Sequence, residues 1–321
     1  MEIEALIDQG AEPAQAENIG RAKRIDDGLF RYVERAKSSF PNGMRLDGLK
    51  IVVDCANGAA YRAAPTVLWE LGADVVSVGV SPNGKNINEN CGSTKPQTAS
   101  EAVVAHGAHL GLCLDGDADR LIIIDENGKV ADGDQIMGLM ASRWAAEDKL
   151  SGNALVATVM SNLGLERFLQ GHGIGLERTN VGDRYVVERM RDGGFNLGGE
   201  QSGHIVMTDY ATTGDGLMAG LQFMAEMIRT GKAASELANI FEPVPQMLEN
   251  VKFSAGQTPL DNDTVRAAIA SAEADLVGSG RLLIRKSGTE PLIRVMAECE
   301  HPDLLENVVG AVVASIKEAT R

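Results

Sequence analysis

The sequence predicts an α/β protein, with serial α/β domains built on mixed sheets and a small α+β C-terminal domain with an antiparallel sheet closing the chain. Three observations predict it. Strand-length apolar runs alternate with helical periodicity from residue 49, the alternation starts afresh near residue 134, and beyond a proline-containing join the order becomes β-α-β-β-α.

The elements follow in order. RAKRIDDGLFRYVERAKSSF has helical periodicity, but residues 1–40 hold too little around it to close a domain, so this stretch reads as an end without its beginning. KIVVDCAN is a buried strand, YRAAPTVLWELG a helix ending at glycine, and ADVVSVGV a second strand, which together make a βαβ unit. After the polar stretch SPNGKNINENCGSTKP come a helix over Gln97 to His106, the strand HLGLCLD, the acidic segment DGDADR and the strand LIIIDENG. A first whole domain therefore spans residues 41–133.

A helix beginning near Asp134 opens the domain at 134–243. In it NALVATVM and GIGLERTN are strands, and SNLGLERFLQGHG and VGDRYVVERMRDGG are helices. FNLGGEQSGHIVMTDYATTGDG sets polar residues between short apolar stretches, and GLMAGLQFMAEMIRTG supplies a long apolar helical face whose methionines are packing residues. FEPVPQ reads as a linker into the domain at 244–321, with strands VKFSAG, RLLIRK and PLIRVMAEC and helices over Asn262–Ala274 and DLLENVVGAVVASIKEA. Domains in series leave clefts between them, which are common homes for polar ligands.

Composition narrows the function. With 44% apolar and 23% charged residues the 321-residue chain is not disordered, and 36 glycines without a repeat period suit many tight connections. Thirty basic against 45 acidic residues give a net charge of −15, which opposes general binding to nucleic acid or an anionic membrane while leaving room for a local phosphate pocket. The four cysteines form no CxxC pair, no apolar run approaches about 18 residues, and MEIEALIDQGAEPAQ lacks the basic start and apolar core of a signal peptide. The expectation is a cytoplasmic chain with reduced thiols.

Three segments carry chemistry. In LDGDADRL, the i, i+2, i+4 spacing of Asp115, Asp117 and Asp119 would point three carboxylates to one side of an extended backbone, where they would repel unless a cation sat among them; hard oxygen donors suit Mg²⁺. Arg120 beside them could neutralise charge or hold a phosphate. An ordinary acidic turn is the alternative, and an EF-hand fails because Arg120 stands where that loop needs glycine.

In RKSGTEPLIR, Ser287, Gly288 and Thr289 offer hydroxyls and backbone N–H groups while Arg285 and Arg294 offer forked donors, an anion cradle or else a plain hairpin turn. In GGEQSGH, an extended backbone would present Glu200, Ser202 and His204 together, suited to sugar hydroxyls and proton transfer, with a structural hairpin as the alternative. Arg178, Arg184 and the NVGDR turn could add donors. No GxxxxGK[ST], GxGxxG after the first strand, GxSxG or HExxH is present, which removes the support for nucleotide binding and for the corresponding hydrolases.

Taken together, DGDADR, GEQSGH and RKSGTEP, in that order, resemble the metal, sugar-recognition and phosphate-binding loops of the α-D-phosphohexomutase family. PNGKNINENCGSTKP is similar to a stretch of its glucosamine branch rather than its mannose and glucose branches. The resemblance implies interconversion of glucosamine 6-phosphate and glucosamine 1-phosphate, with glucosamine 1,6-bisphosphate as intermediate and activator, hexosamine phosphates as partners, and a homodimer permitted. It implies Asp115, Asp117 and Asp119 on Mg²⁺, Glu200 and Ser202 on the sugar, and Arg120 near the reacting phosphate. His204 would handle protons, and Arg285, Ser287, Gly288, Thr289 and Arg294 would grip the other phosphate. A phosphomannomutase or phosphoglucomutase, or a non-catalytic sugar-phosphate-binding protein, are the alternatives. Family members also carry an active serine in a Thr-Ala-Ser-His-Asn-like loop of a leading domain. Residues 1–40 resemble only the tail of that domain, so the chain alone is expected to be inactive.

Overall fold

The computed structural model describes residues 2–10, 12–254, 256–287 and 290–320. Helix α1 (Glu2–Gln9) has no buried residue, whereas α2 (Gly28–Ser39) buries Val33 and Ala36. The first sheet has the order β2-β1-β3-β4-β5. Its strands are β1 (Lys50–Asp54), β2 (Asp74–Val78), β3 (Leu110–Leu114), β4 (Leu121–Asp125) and β5 (Val130–Ala131), with helices α3 (Ala63–Glu70) and α4 (Gln97–His106) between them. β1 runs parallel to β2 and β3, and β4 and β5 are antiparallel additions, so the sheet is mixed as predicted. β3 and β4 are buried at every residue, as expected of central strands covered on both faces.

The second unit begins with α5 (Gly133–Ala146), whose N-cap Asp132 accepts from the backbone N–H groups of Asp134 and Gln135, a cap contributing about 1 kcal/mol. Its sheet runs β7-β6-β8-β9, from β6 (Ala154–Thr158), β7 (Gly175–Thr179), β8 (Leu197–Gly199) and β9 (Ile205–Met207), parallel except for β9. Helices α6 (Leu163–Gly171), α7 (Asp183–Gly193), α8 (Gly216–Thr230) and the short α9 (Ala234–Leu237) complete it. The last unit is an antiparallel sheet β10-β12-β11, from β10 (Gln246–Lys252), β11 (Gly280–Lys286) and β12 (Leu292–Cys299), covered by α10 (Asp263–Asp275) and α11 (Pro302–Ala319).

The packing differs from separate beads on a string. One apolar core runs through the first two units and contains Val33, Ala36 and Phe40, Leu112, Leu114 and Leu121, and Leu217, Leu221 and Phe223 together. α8 therefore belongs to both sheets: Gly220 lies close enough to Leu112 that a Cβ there would be 3.2 Å from its side chain. The hydroxyl of Tyr32 on α2 donates to the carboxylate of Asp215, at 3.1 and 3.0 Å, and Asp215 caps α8 by accepting from Met218 N–H at 2.9 Å. The last unit keeps a core of its own. Among the described residues no helix is long and apolar enough to cross a membrane.

Candidate functional site

The three aspartates do converge, but not by strand alternation. Residues 115–119 form a turn between β3 and β4, with Ala118 N–H donating to Asp115 O at 3.1 Å and Ala118 in the left-handed region at φ 63°. This turn, not an extended backbone, gathers one carboxylate oxygen each from Asp115, Asp117 and Asp119 within 4.8 Å of one another. Neighbours hold it on three sides: Ala59 N–H donates to Gly116 O at 2.8 Å, Gly216 N–H to Ala118 O at 2.9 Å, and Arg120 N–H to the Asp115 carboxylate at 3.1 Å.

The electrostatics ask for a cation. Burial, with added repulsion from Asp119 and Asp117, pushes the Asp115 carboxyl up to about 6. Asp119 Oδ1 is buried without a hydrogen bond. Three close oxygens of this kind fit a hard divalent cation such as Mg²⁺. The Arg120 guanidinium has its Nε 3.8 Å from Asp115 Oδ2, and its side chain remains 42% exposed and able to meet a ligand.

The GGEQSGH segment also departs from the extended form. Glu200 to Gly203 is a turn, closed by Gly203 N–H donating to Glu200 O at 2.9 Å with Gly203 at φ 94°. The turn separates the three residues expected to face one ligand. Glu200 and Ser202 stay together, Ser202 Oγ donating to Glu200 Oε2 at 3.4 Å, and Gly182 of the NVGDR turn donates its N–H to Glu200 Oε1 at 3.0 Å. They line a cavity of about 410 Å³ with Thr158, Met160 and Gln201. His204 instead turns inward, 3% exposed, with Nδ1 2.9 Å from Asp119 Oδ2. Its place is behind the acidic turn, where it orients a carboxylate as the outer partners of metal ligands do.

The two loops are thereby one structure: Arg120 and His204 form a β-bridge, and Leu121 N–H donates to Gly203 O at 3.0 Å. A Cβ at 203 would stand 2.8 Å from the Leu121 carbonyl carbon on a backbone that side chains rarely adopt. Gly203→Ala should therefore cost at least about 2 kcal/mol in urea unfolding and weaken divalent-ion binding as well. Unchanged ion affinity in that variant would show the loops to be uncoupled.

At the third segment, Arg285 and Arg294 stand directly opposite each other across β11 and β12, half-buried and exposed respectively. Among the described residues neither makes an ion pair, and like charges facing across strands are unfavourable unless an anion joins them. Ser287 N–H donates to Leu292 O at 2.7 Å and Ser287 Oγ accepts from Glu290 N–H at 3.3 Å. Gly288 and Thr289 lie outside the described residues. No hydrogen bond or ion pair among the described residues joins this hairpin to the acidic turn.

Arg178 and Arg184 are not donors in waiting. Arg178 is taken up by Glu166 and by the carbonyls of Thr158 and Ser161, and Arg184 pairs with Glu188 on the surface. The polar stretch after β2 proves more important than its composition suggests, because it folds over the acidic turn. Asn88 N–H donates to Ala56 O at 2.9 Å, Ser93 N–H to Leu114 O at 2.8 Å, and Gly92 N–H to the Asp54 carboxylate at 2.7 Å. Left-handed backbone at Asn57, Asn88 and Asn90 permits this path, and the run of asparagines was its available signal.

Family models for phosphoglucomutase/phosphomannomutase match residues 30–128 (alpha/beta/alpha domain II), 132–244 (alpha/beta/alpha domain III) and 248–315 (C-terminal domain). The chain is 73% identical over 321 residues to a phosphoglucosamine mutase of Ruegeria sp. (strain TM1040), covering 100% of this chain and 72% of the relative. It is 71% identical over 318 residues to one of Roseobacter denitrificans, covering 99% and 71%. Among solved structures, a phosphoglucomutase/phosphomannomutase family protein of Burkholderia thailandensis has a TM-score of 0.76 at 24% identity, over 91% of this chain and 64% of that one. An N-acetylphosphoglucosamine mutase of Aspergillus fumigatus, solved with GlcNAc-6P and magnesium, has a TM-score of 0.70 at 23% identity, over 90% and 66%. The chain thus spans just under two thirds of the length of these two structures and somewhat more of the sequence relatives.

Proposed function

Because the chain belongs to the phosphoglucomutase/phosphomannomutase family, we propose that its three units supply the metal, sugar and phosphate parts of a site that interconverts glucosamine 6-phosphate and glucosamine 1-phosphate. The observation that carries this reading is the union of the acidic turn with the sugar loop through the Asp119–His204 contact, 2.9 Å long. Asp115, Asp117 and Asp119 would hold Mg²⁺, which when bound would offset charge on the phosphoryl group in transfer.

The remaining roles belong to side chains. Arg120 would meet the oxygens of the reacting phosphate, and Glu200, fixed by Gly182 and Ser202, would accept from sugar hydroxyls. Arg285 and Arg294, with Ser287, Gly288 and Thr289, would clasp the non-reacting phosphate as a forked pair. Either end of glucosamine 1,6-bisphosphate could dock there in turn, which holds the other end in line for transfer. His204, with Nδ1 facing Asp119, acts in this reading on the carboxylate rather than on the sugar.

The phosphoryl donor is not among these residues. Thr-Ala-Ser occurs at Thr98–Ser100, but within α4 and followed by Glu101, with Ser100 Oγ donating to Gly128 O at 2.6 Å. The 321 residues alone should therefore bind hexosamine phosphate without turning it over. Joined to the part of the Ruegeria relative that lies outside the matched 72%, which in this reading supplies the active serine, they should convert glucosamine 6-phosphate in the presence of Mg²⁺ and catalytic glucosamine 1,6-bisphosphate, and do so faster than glucose or mannose 6-phosphate. Absence of activity in a folded fusion would overturn the reading. Turnover by the chain alone, with a phosphorylated serine in it, would overturn only the missing-donor part.

A further inference from the structure

The register of β11 and β12 stacks three pairs on one face: Arg281 opposite Glu298, Leu283 opposite Met296, and Arg285 opposite Arg294. The outermost pairs are about 13 Å apart along the strand, four residues at about 3.3 Å each. The Arg285–Arg294 end is open. The Arg281–Glu298 end is where the C-terminal unit docks onto the second one.

That docking is unusually specific. Glu298 is 0% exposed, and its Oε2 accepts from Arg281 Nε at 2.5 Å and from the backbone N–H of Leu163, at the start of α6, at 3.0 Å. Its Oε1 accepts from Asn162 Nδ2 at 3.3 Å. Arg281 donates from its other nitrogen to Ser161 O at 2.6 Å, and Asn162, the N-cap of α6, also exchanges hydrogen bonds with Val244 where the chain leaves the second unit. A carboxylate from one unit therefore satisfies the orphan N–H of a helix in the other, the position an anion would take. A second pair, Arg167 with Glu300, sits at the rim.

Apolar cores do not fix orientation across this junction, because the C-terminal core is separate from the one shared by the other units. A buried ion pair adds little net stability but tolerates few geometries. We propose that Glu298 and Arg281 are positioning residues: by locking β11 and β12 onto the N-terminus of α6, they aim the Arg285–Arg294 pair at the sugar loop. The inference rests on the phosphate-clasping role given above to that arginine pair.

The test uses Glu298→Gln, which keeps the shape and one acceptor but removes the charge opposite Arg281. Spin labels on Gln170→Cys and Asp303→Cys, exposed sites on α6 and α11, report the distance between the units, since the four native cysteines are buried. The parent should give one narrow distance, and Glu298→Gln a broadened or shifted one. In the same variant the Kd for glucosamine 6-phosphate should rise at least tenfold with the Kd for Mg²⁺ unchanged, a split that general loss of structure would not produce. Glu298→Asp, which keeps the charge on a shorter arm, should recover part of both effects, and it carries the test if the Gln variant fails to fold. An unaltered distance together with sugar-phosphate affinity within twofold of the parent would overturn the proposal. If the parent itself binds no sugar phosphate, the functional reading falls, while the distance measurement still decides whether the pair locks the units.

Discussion

Replacing Asp117 with Asn should weaken Mg²⁺ binding on the order of 100-fold and at the same time raise the melting temperature of the metal-free chain by roughly 2 °C. Asp117 is the exposed member of the trio, and no side-chain hydrogen bond or ion pair of its own appears among the described residues. Its removal therefore tests charge with little disturbance of packing. Without metal, it faces Asp115 and Asp119 within 4.8 Å, a repulsion worth on the order of 1 kcal/mol after solvent screening. With metal, the same carboxylate is a ligand, so the two effects have opposite signs. Calorimetric Mg²⁺ titration and thermal unfolding with chelator present would read them separately. Unchanged Mg²⁺ affinity would return the segment to an ordinary acidic turn.

The second large effect is expected at Asp134→Asn and depends on pH. Asp134 is 1% exposed, and burial together with the nearby charge of Asp132 pushes its carboxyl up to about 7. Its Oδ2 accepts from Asn162 N–H at 2.7 Å, but Oδ1 is buried without a hydrogen bond, as is Ser161 Oγ. The folded chain thus keeps a proton that the unfolded chain releases near pH 4. The contribution of Asp134 to stability should therefore fall as pH rises from about 4 to about 7, by on the order of 3 kcal/mol, and level off above. Asparagine does not ionise, and it can still accept from Asn162 while offering an N–H to Ser161. The variant should match the parent near pH 4.5 and exceed it by about 2–3 kcal/mol at pH 8 in urea unfolding. A difference that does not grow with pH would mean that Asp134 is ionised throughout.

Much of the architecture was legible because local signals agreed with it. Pro96 and Gly107 bracket α4 at the predicted residues, and the apolar runs at 50–54, 110–114 and 121–125 are the strands of a buried sheet. The acidic trio was found for an incomplete reason. Alternation suggested a shared side, whereas convergence depends on Ala118 at φ 63°, a conformation that alanine does not advertise and that its neighbours at Gly116 and Gly216 hold in place.

His204 was misplaced for the same cause, since the turn at Gly203 breaks the alternation that would have kept it with Glu200 and Ser202. Long-range partners left no local mark. Nothing in RYVERAK says that Tyr32 reaches Asp215, and nothing in RVMAEC says that Glu298 will cap a helix that begins at Leu163. These contacts arise only when separate units meet.

A crystal structure of the chain with Mg²⁺ and glucosamine 1,6-bisphosphate tests the central claim most directly. The account predicts an ion bound by Asp115, Asp117 and Asp119, sugar hydroxyls on Glu200 and Ser202, and one phosphate between Arg285 and Arg294 with the other near Arg120. A sugar phosphate held away from the arginine pair, or an acidic turn without the ion, would contradict it.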